Sequence, residues 1–347
     1  MTKLLAENLF LLLFAVGTIF LSLERGKLPH ISPEEWKVLL FIFTLLVVIR
    51  GFELSGVLRY TALRLEMFKY FPPLLVLYTA FLAMVVTNDV ALIAVVPITL
   101  LLSENRELVP LLVVLEILAA NIGSALSPFG NPQNIYLFHR YGLSLKEFLS
   151  AVAPVFLPLL VFLLILTPFR GKRVEKSPTE VRINWQPLVV SSLGFLLFLG
   201  SFFKLLPLWV LFPIFAAGIW IRELLTVDYG LLLTFLAFFA FASLLEVKPL
   251  FHSPEGVLLN SVLLSQILSN VPVAVILSKL TPLWKPLLVG VNLGGFGTPV
   301  ASLANLIGIR LYLRSTYPKG SFWFFYTALN LSFLIMGVSL AVLLFDG

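Results

Sequence analysis

Residues 121–134 read Asn121-Ile-Gly-Ser-Ala-Leu-Ser-Pro-Phe-Gly-Asn-Pro-Gln-Asn134, and residues 292–305 read Asn292-Leu-Gly-Gly-Phe-Gly-Thr-Pro-Val-Ala-Ser-Leu-Ala-Asn305. Superposed without a gap, at an offset of 171 residues, they pair Asn121 with Asn292, Gly123 with Gly294, Ser127 with Thr298, Pro128 with Pro299 and Asn134 with Asn305. Each lies inside a long apolar run, 108–138 and 286–313, so each reads as a helix broken at its Gly and Pro residues. Upstream of each comes an apolar stretch with a polar tip. The first, 70–103, is interrupted by Thr87-Asn88-Asp89, and the second, 257–280, by Ser269-Asn270. The same two features recur in the same order, which marks an internal repeat.

Composition names the solvent. The 347 residues are 59% hydrophobic and only 12% charged, with a mean hydropathy of +1.02. Soluble domains run near 45–50% apolar and about 25% charged, so most of this chain must face lipid. Helix is then the expected state, because lipid offers no partners for an open sheet edge. At about 20 residues per span the length allows roughly nine to eleven segments, which excludes a single-anchor receptor and a tethered soluble enzyme. Nine apolar runs read as spans: 4–23, 36–50, 108–138, 145–168, 187–203, 207–221, 229–245, 286–313 and 322–345. The first is followed by Leu23-Glu24-Arg25 with no small-residue cleavage site, and reads as a retained helix. Residues 51–70 place Arg59, Arg64, Glu66 and Lys69 among Leu and Phe, as an interfacial helix would. With no cysteine, disulfides, thiolate metal sites and cysteine nucleophiles are excluded. The net charge of +6 is assigned to cytoplasmic loops, not to nucleic acid.

The two tipped stretches read as re-entrant hairpins that enter and leave on one side. Five spans lie between them, an odd number, so the second hairpin enters from the opposite face. The expected fold is an all-α polytopic membrane protein with inverted-topology repeats, each holding one hairpin and one discontinuous helix. The first repeat is placed at 1–168, a cytoplasmic linker at 169–186 and the second repeat at 187–347. This arrangement collects fifteen of the 24 Lys and Arg residues on one face. The positive-inside rule then puts the N-terminus in the cytoplasm and the C-terminus outside the cell (inner or plasma) membrane.

Irregular backbone at depth is tolerated only where it lines a cavity. Freed carbonyls with Asn and Ser/Thr oxygens suit a hard cation such as Na⁺, whereas half-helix N-termini offer N–H groups and positive dipole ends to an anion. The acids are asymmetric: Asp89 faces Val271 across the repeat, and Glu116 faces Leu287. Asp89 is a candidate to coordinate a cation or carry a coupling proton, its plainer role being a tip cap bonded to backbone N–H groups. Glu116 reads equally as a functional acid or a protonated packing residue. His30, His139 and His252 fall in loops on this map, and Lys279 and Lys285 read as snorkelling anchors.

These motifs resemble the ion transporter superfamily: the divalent-anion:sodium symporters, arsenite permeases, citrate transporters and NhaD-type sodium/proton antiporters. Thr87-Asn88-Asp89 resembles the tip motif of the arsenite and NhaD branches, and Ser269-Asn270-Val271-Pro272 the second tip of the arsenite branch. Gly130-Asn131-Pro132-Gln133-Asn134 resembles the Gly-x-Pro-Pro-Asn segment of the anion permeases. The resemblance implies a homodimer, with a scaffold part and a transport part that moves as an elevator. It implies one cation site at Thr87, Asn88 and the loop around Gly123, together with Asp89 and Asn121. A symmetry mate would lie at Ser269, Asn270 and the loop around Gly294, with Asn292. Substrate would sit between the tips, near Asn88, Asn270, Pro128 and Pro299, with Asn131, Asn134, Thr298 and Asn305 on the flanking loops. The tips depart from the Ser-Asn-Thr common in the symporters, and the first repeat has one span fewer than the second before its hairpin.

The function expected is secondary active transport of a small anion or oxyanion, dicarboxylate-, citrate- or arsenite-like, coupled to Na⁺ or H⁺ and needing no other cofactor. The alternative is an antiporter in which Asp89 exchanges Na⁺ for H⁺. An intramembrane enzyme would need a Ser–His pair, paired Asp residues or a His/Glu metal cluster, and the map places no His and only Asp89 among the Asp residues within a span. A passive channel would have no need of inverted hairpins.

Overall fold

Helix starts and breaks follow local chemistry throughout the chain. Ser32 accepts from the Glu35 N–H while the Glu35 carboxylate accepts from Ser32 N–H, a capping box that starts α2 (Pro33–Ser55). Ser144 and Glu147 do the same for α8 (Leu145–Leu166). The computed structural model describes residues 2–65, 71–102, 107–169, 182–245 and 253–345, with side chains described from residue 10 onward except at 102. Among these residues the chain forms α-helices and short 3-10 turns, with no strand.

In chain order, α1 (Thr2–Arg25) and α2 are followed by a short α3 (Val57–Leu65). The first tipped stretch is α4 (Phe71–Val85) and α5 (Asn88–Leu102), and the first broken helix is α6 (Leu108–Ala125) and α7 (Pro132–Arg140). After α8 come α9 (Trp185–Phe202), a 3-10 turn (Leu208–Leu211), α10 (Phe212–Trp220), a second 3-10 turn (Arg222–Leu225) and α11 (Tyr229–Ser243). The second tipped stretch is α12 (Pro254–Leu268) and α13 (Asn270–Leu280). The second broken helix is α14 (Trp284–Leu293), a 3-10 turn (Pro299–Ala301) and α15 (Leu303–Leu313), and α16 (Lys319–Phe345) closes the described chain. Among the described residues six segments are long and apolar enough to cross a bilayer, and the chain is a polytopic, all-helical membrane protein.

The helices are interrupted between α4 and α5, α6 and α7, α12 and α13, and α14 and α15, at Thr87, at 126–131, at Ser269 and at 294–302. The expected interfacial helix over 51–70 divides instead: α2 runs on to Ser55, Gly56 turns the chain at φ 73°, and α3 follows as far as Leu65, with 66–70 outside the described residues. Most of the expected linker, 170–181, and His252 lie outside the described residues.

Two further expectations are corrected. Lys279 is not a snorkelling anchor, because its Nζ lies 3.0 Å from Glu35 Oε1 and ties the end of α13 to the start of α2. His139 is not a loop residue. It occupies the last turn of α7, with its ring stacked on Phe41 at 4.7 Å and edge-on to Phe202. A histidine therefore does lie within a helical segment, packed as an aromatic side chain.

Long-range contacts separate two ends of the bundle. At one end Arg50 reaches Thr226, Asn184 N–H donates to Ser55 and the Tyr317 hydroxyl donates to Leu100. At the other, Lys279 pairs with Glu35, Tyr141 donates to the Thr281 carbonyl, His30 N–H donates to Ser243 and Arg25 donates to the Leu244 carbonyl. All six tryptophans sit at these ends: Trp36, Trp209 and Trp284 at the second, Trp185, Trp220 and Trp323 at the first. That is the placement of interfacial belts.

Candidate functional site

The two loops meet through their asparagines. Asn121 Nδ2 donates to Asn305 Oδ1 at 2.8 Å, and Asn292 Nδ2 donates to Asn134 Oδ1 at 2.8 Å. The 171-residue offset turns the first bond into the second. It does the same for Asn131 Nδ2 to Asn292 Oδ1 (3.2 Å) and Ser302 Oγ to Asn121 Oδ1 (3.1 Å). Within each loop, Asn134 Nδ2 holds the carbonyls of Ser124 and Ser127, and Asn305 Nδ2 holds those of Gly295 and Thr298, which are the equivalent positions. Asn121, Asn131, Asn134, Asn292 and Asn305 are all buried. A buried amide left unpartnered is costly, so a network that satisfies each member fixes the loops in one arrangement.

The tips dock onto these loops. Thr87 (φ 110°) and Ser269 (φ 69°) both adopt positive φ, one residue ahead of Asn88 and Asn270 respectively. Such values are strained for any residue with a Cβ, and a β-branched threonine feels them most. Asn88 N–H donates to the Gly130 carbonyl at 3.2 Å, and Ser269 Oγ donates to the carbonyl of Ala301 at 3.4 Å, so that the two tips reach equivalent carbonyls through different donors. The N-termini of α5, α7, α13 and α15 are thereby drawn to one region. α7 is capped by Asn131, whose Oδ1 accepts from Asn134 N–H.

Small residues permit the close packing behind the tips. A methyl group on Gly123 would overlap the Ala80 carbonyl of α4, and one on Gly294 would approach Ser265 of α12 to 2.6 Å. The helix axes can approach this closely only because those positions carry no Cβ.

Not every expected residue is equally available to a ligand. Thr298 is engaged by Gln266 of α12: its N–H donates to Gln266 Oε1 (2.9 Å) and its hydroxyl to the Gln266 carbonyl (2.8 Å). Gln266 Nε2 also holds the Gly294 and Phe296 carbonyls, which makes it a brace the sequence reading missed. Its position three residues ahead of the Ser269-Asn270 tip was the available signal. Pro128 is buried in the first loop and Pro299 opens the 3-10 turn of the second. At Asn88, Oδ1 accepts from Asp89 N–H (3.0 Å), while among the described residues no hydrogen bond engages its Nδ2 or the side-chain amide of Asn270. Both residues are nonetheless about 95% buried, at 5% and 4% exposure. Glu116, at 1% exposure in α6, accepts from the Thr99 hydroxyl of α5.

A cleft of about 150 Å³ reaches the first tip, lined by Thr87 and Asp89, by Pro132 and Leu303 at the starts of α7 and α15, and by Arg50, Glu53, Thr226 and Asp228 at its mouth. The corresponding space at the second tip is about 60 Å³, and beyond Ser269 and Thr234 its lining is apolar.

With this geometry in hand, comparison with known proteins is informative. The profile of a family described as citrate transporter matches residues 3–282. The chain is 37% identical over 334 residues to the inner membrane protein YbiR of Escherichia coli, covering 88% of each chain. It is 34% identical over 317 residues to the uncharacterized transporter MJ0456 of Methanocaldococcus jannaschii, covering 87% of this chain and 89% of that one. A shorter similarity, 27% over 173 residues, extends to the uncharacterized transporter Rv2685 of Mycobacterium tuberculosis and covers 48% of this chain.

Proposed function

This chain belongs to the citrate transporter family, and we propose that it carries a small anion or oxyanion across the membrane, coupled to Na⁺ or H⁺, by secondary active transport. The observation that carries this reading is the division of labour among the asparagines. The loop asparagines are spent on one another and on loop carbonyls, whereas Asn88 Nδ2 and the side-chain amide of Asn270, both on buried residues, make no hydrogen bond among the described residues. Four helix N-termini open beside them, and N–H donors with positive dipole ends favour an anion. Tip and loop oxygens around Thr87, Asn88, Asp89, Asn121 and Gly123 form the candidate cation site, and Ser269, Asn270, Asn292 and Gly294 its counterpart.

The exchange of hydrogen bonds at a constant offset supports inverted repeats, 1–168 and 187–347. So does the sidedness of the tips: Leu100, after the first tip, meets Tyr317 at one end, and Lys279, after the second, meets Glu35 at the other. The arms of the second tip, α12 and α13, are 15 and 11 residues long, about 22 and 16 Å, short of a hydrocarbon core of about 30 Å, which supports a re-entrant second hairpin. The family resemblance implies elevator motion of the hairpins and broken helices within a homodimer, and the positive-inside rule favours a cytoplasmic Arg50–Thr226 end.

A second reading has its own observation. Asp89 shares its cleft with Glu53 and Asp228, the surroundings a Na⁺/H⁺ antiporter would use.

The two readings separate in one experiment, the melting temperature of the purified chain titrated with NaCl against KCl, with and without citrate, succinate or sulfate. A ligand that binds only the folded state raises the melting temperature by mass action. Stabilisation by Na⁺ that grows with one of the anions is the expected result. Stabilisation by Na⁺ alone, varying with pH and indifferent to every anion, would replace the anion carrier by the antiporter.

A further inference from the structure

The cleft that leads to the first tip does not open directly at its mouth. Beside it lies a wider recess of about 340 Å³, and both spaces are lined by Arg50, Glu53, Val90 and Ile93. Arg50 therefore stands where the recess narrows into the cleft. Among the described residues it is also the one basic residue lining that cleft, which carries Asp228 near Thr226 and Asp89 at the tip.

The guanidinium is held across this opening. Nη1 lies 2.9 Å from Glu53 Oε2, one turn further along α2, and Nε donates to Thr226 Oγ1 at 3.1 Å, just ahead of α11. Those two contacts use a minority of its five N–H donors. The ion pair is short-range within one helix, and its side chains are 35% and 27% exposed, so it is weak and easily exchanged. A planar guanidinium can instead grip a carboxylate or an oxyanion by two parallel hydrogen bonds, which a single strand of contact to Glu53 does not match.

We propose that Arg50 is a specificity-determining residue: it recruits a carboxylate or oxyanion substrate at the neck of the cleft by exchanging Glu53 for the substrate's oxygens. The inference rests on the anion-carrier reading and extends it to a residue outside the tips and loops. The cleft also carries Asp89 and Asp228, so its summed charge does not favour an anion, and Arg50 recognises one by the two-pronged geometry of its guanidinium.

The test is the same melting titration with citrate, succinate and sulfate in NaCl, on the full chain and on Arg50→Gln, Arg50→Lys and Glu53→Gln. Arg50→Gln is expected to raise the half-saturating anion concentration by about tenfold or more, the loss expected for a charge-assisted hydrogen bond. Arg50→Lys keeps the charge without the fork and should raise it by about threefold. Glu53→Gln removes the competitor and should lower it. A strut with no role in recognition gives no such opposition of sign: equal weakening in Arg50→Gln and Glu53→Gln, or no change in either, would overturn the proposal. If Arg50→Gln does not fold, the opposite shifts of Arg50→Lys and Glu53→Gln decide alone. Failure of the unmodified chain to respond to any of these anions would instead count against the anion-carrier reading itself, before a variant is measured. A gain in Na⁺ affinity in Arg50→Gln without an anion effect would overturn the proposal in favour of a cation path.

Discussion

Asn121 and Asn305 share one hydrogen bond, and Asn292 and Asn134 share its counterpart. Replacing Asn121 by Ala leaves the Asn305 oxygen and the Ser302 hydroxyl without that partner at depth, at a cost of about 1–3 kcal/mol. The melting temperature should fall by several degrees, and Asn121→Ala combined with Asn305→Ala should cost less than the sum of the two. Additive losses would mean that the bond carries no weight. The tip residues behave differently, because Asn88 Nδ2 and the Asn270 amide make no hydrogen bond among the described residues, and Asn88 Oδ1 has only the neighbouring Asp89 N–H: Asn88→Ala and Asn270→Ala should each abolish transport in proteoliposomes while melting and expression stay near those of the parent. Normal transport by both would refute a site between the tips. Asp89→Asn should remove the Na⁺ or pH dependence of transport, and unchanged coupling would return Asp89 to the role of a helix cap.

The helix pairs α4–α6 and α12–α14 depend on close approach of their backbones. Gly123→Ala puts a methyl into the Ala80 carbonyl, which belongs to main chain and cannot swing aside, whereas Gly294→Ala meets the side chain of Ser265. The first should lower the melting temperature more than the second, and the order would reverse if α4 could shift freely. Much at this level was legible in the sequence. Gly, Pro and Asn in apolar runs located both breaks and both tips, because such residues are tolerated in lipid only where the backbone is put to use. Partners distant in sequence were not legible. Glu35 caps the start of α2 and Lys279 was read as a membrane anchor, and nothing local to either reveals the ion pair that joins them. His139 was misplaced for a related reason: its aromatic neighbours Phe41 and Phe202 come from two other helices. For the site, the sequence indicated the residues at the centre but not which amides would be spent on each other.

At the scale of the molecule, family and relatives make this a membrane transporter and not an enzyme. Its two ends can be assigned to sides of the membrane with little engineering, since the chain has no cysteine to remove. Single cysteines at His30 and Lys146 should react with an impermeant maleimide from one side of sealed vesicles, and those at Thr226 and Ser315 only from the other. Labelling of all four from one side would dismantle the assignment of ends. The short arms of the second tip also bear on how the protein is made. α12 and α13, of 15 and 11 residues, emerge from the ribosome before α14, the helix against which both pack. Neither is long enough to partition into lipid as an independent span, and their polar tip has no docking loop until residues 292–305 have been synthesised. Biogenesis must therefore hold this hairpin in waiting, within the insertion machinery or against the first half of the chain. A nascent chain stalled near residue 283 would be an unfinished substrate for membrane quality control rather than a smaller transporter.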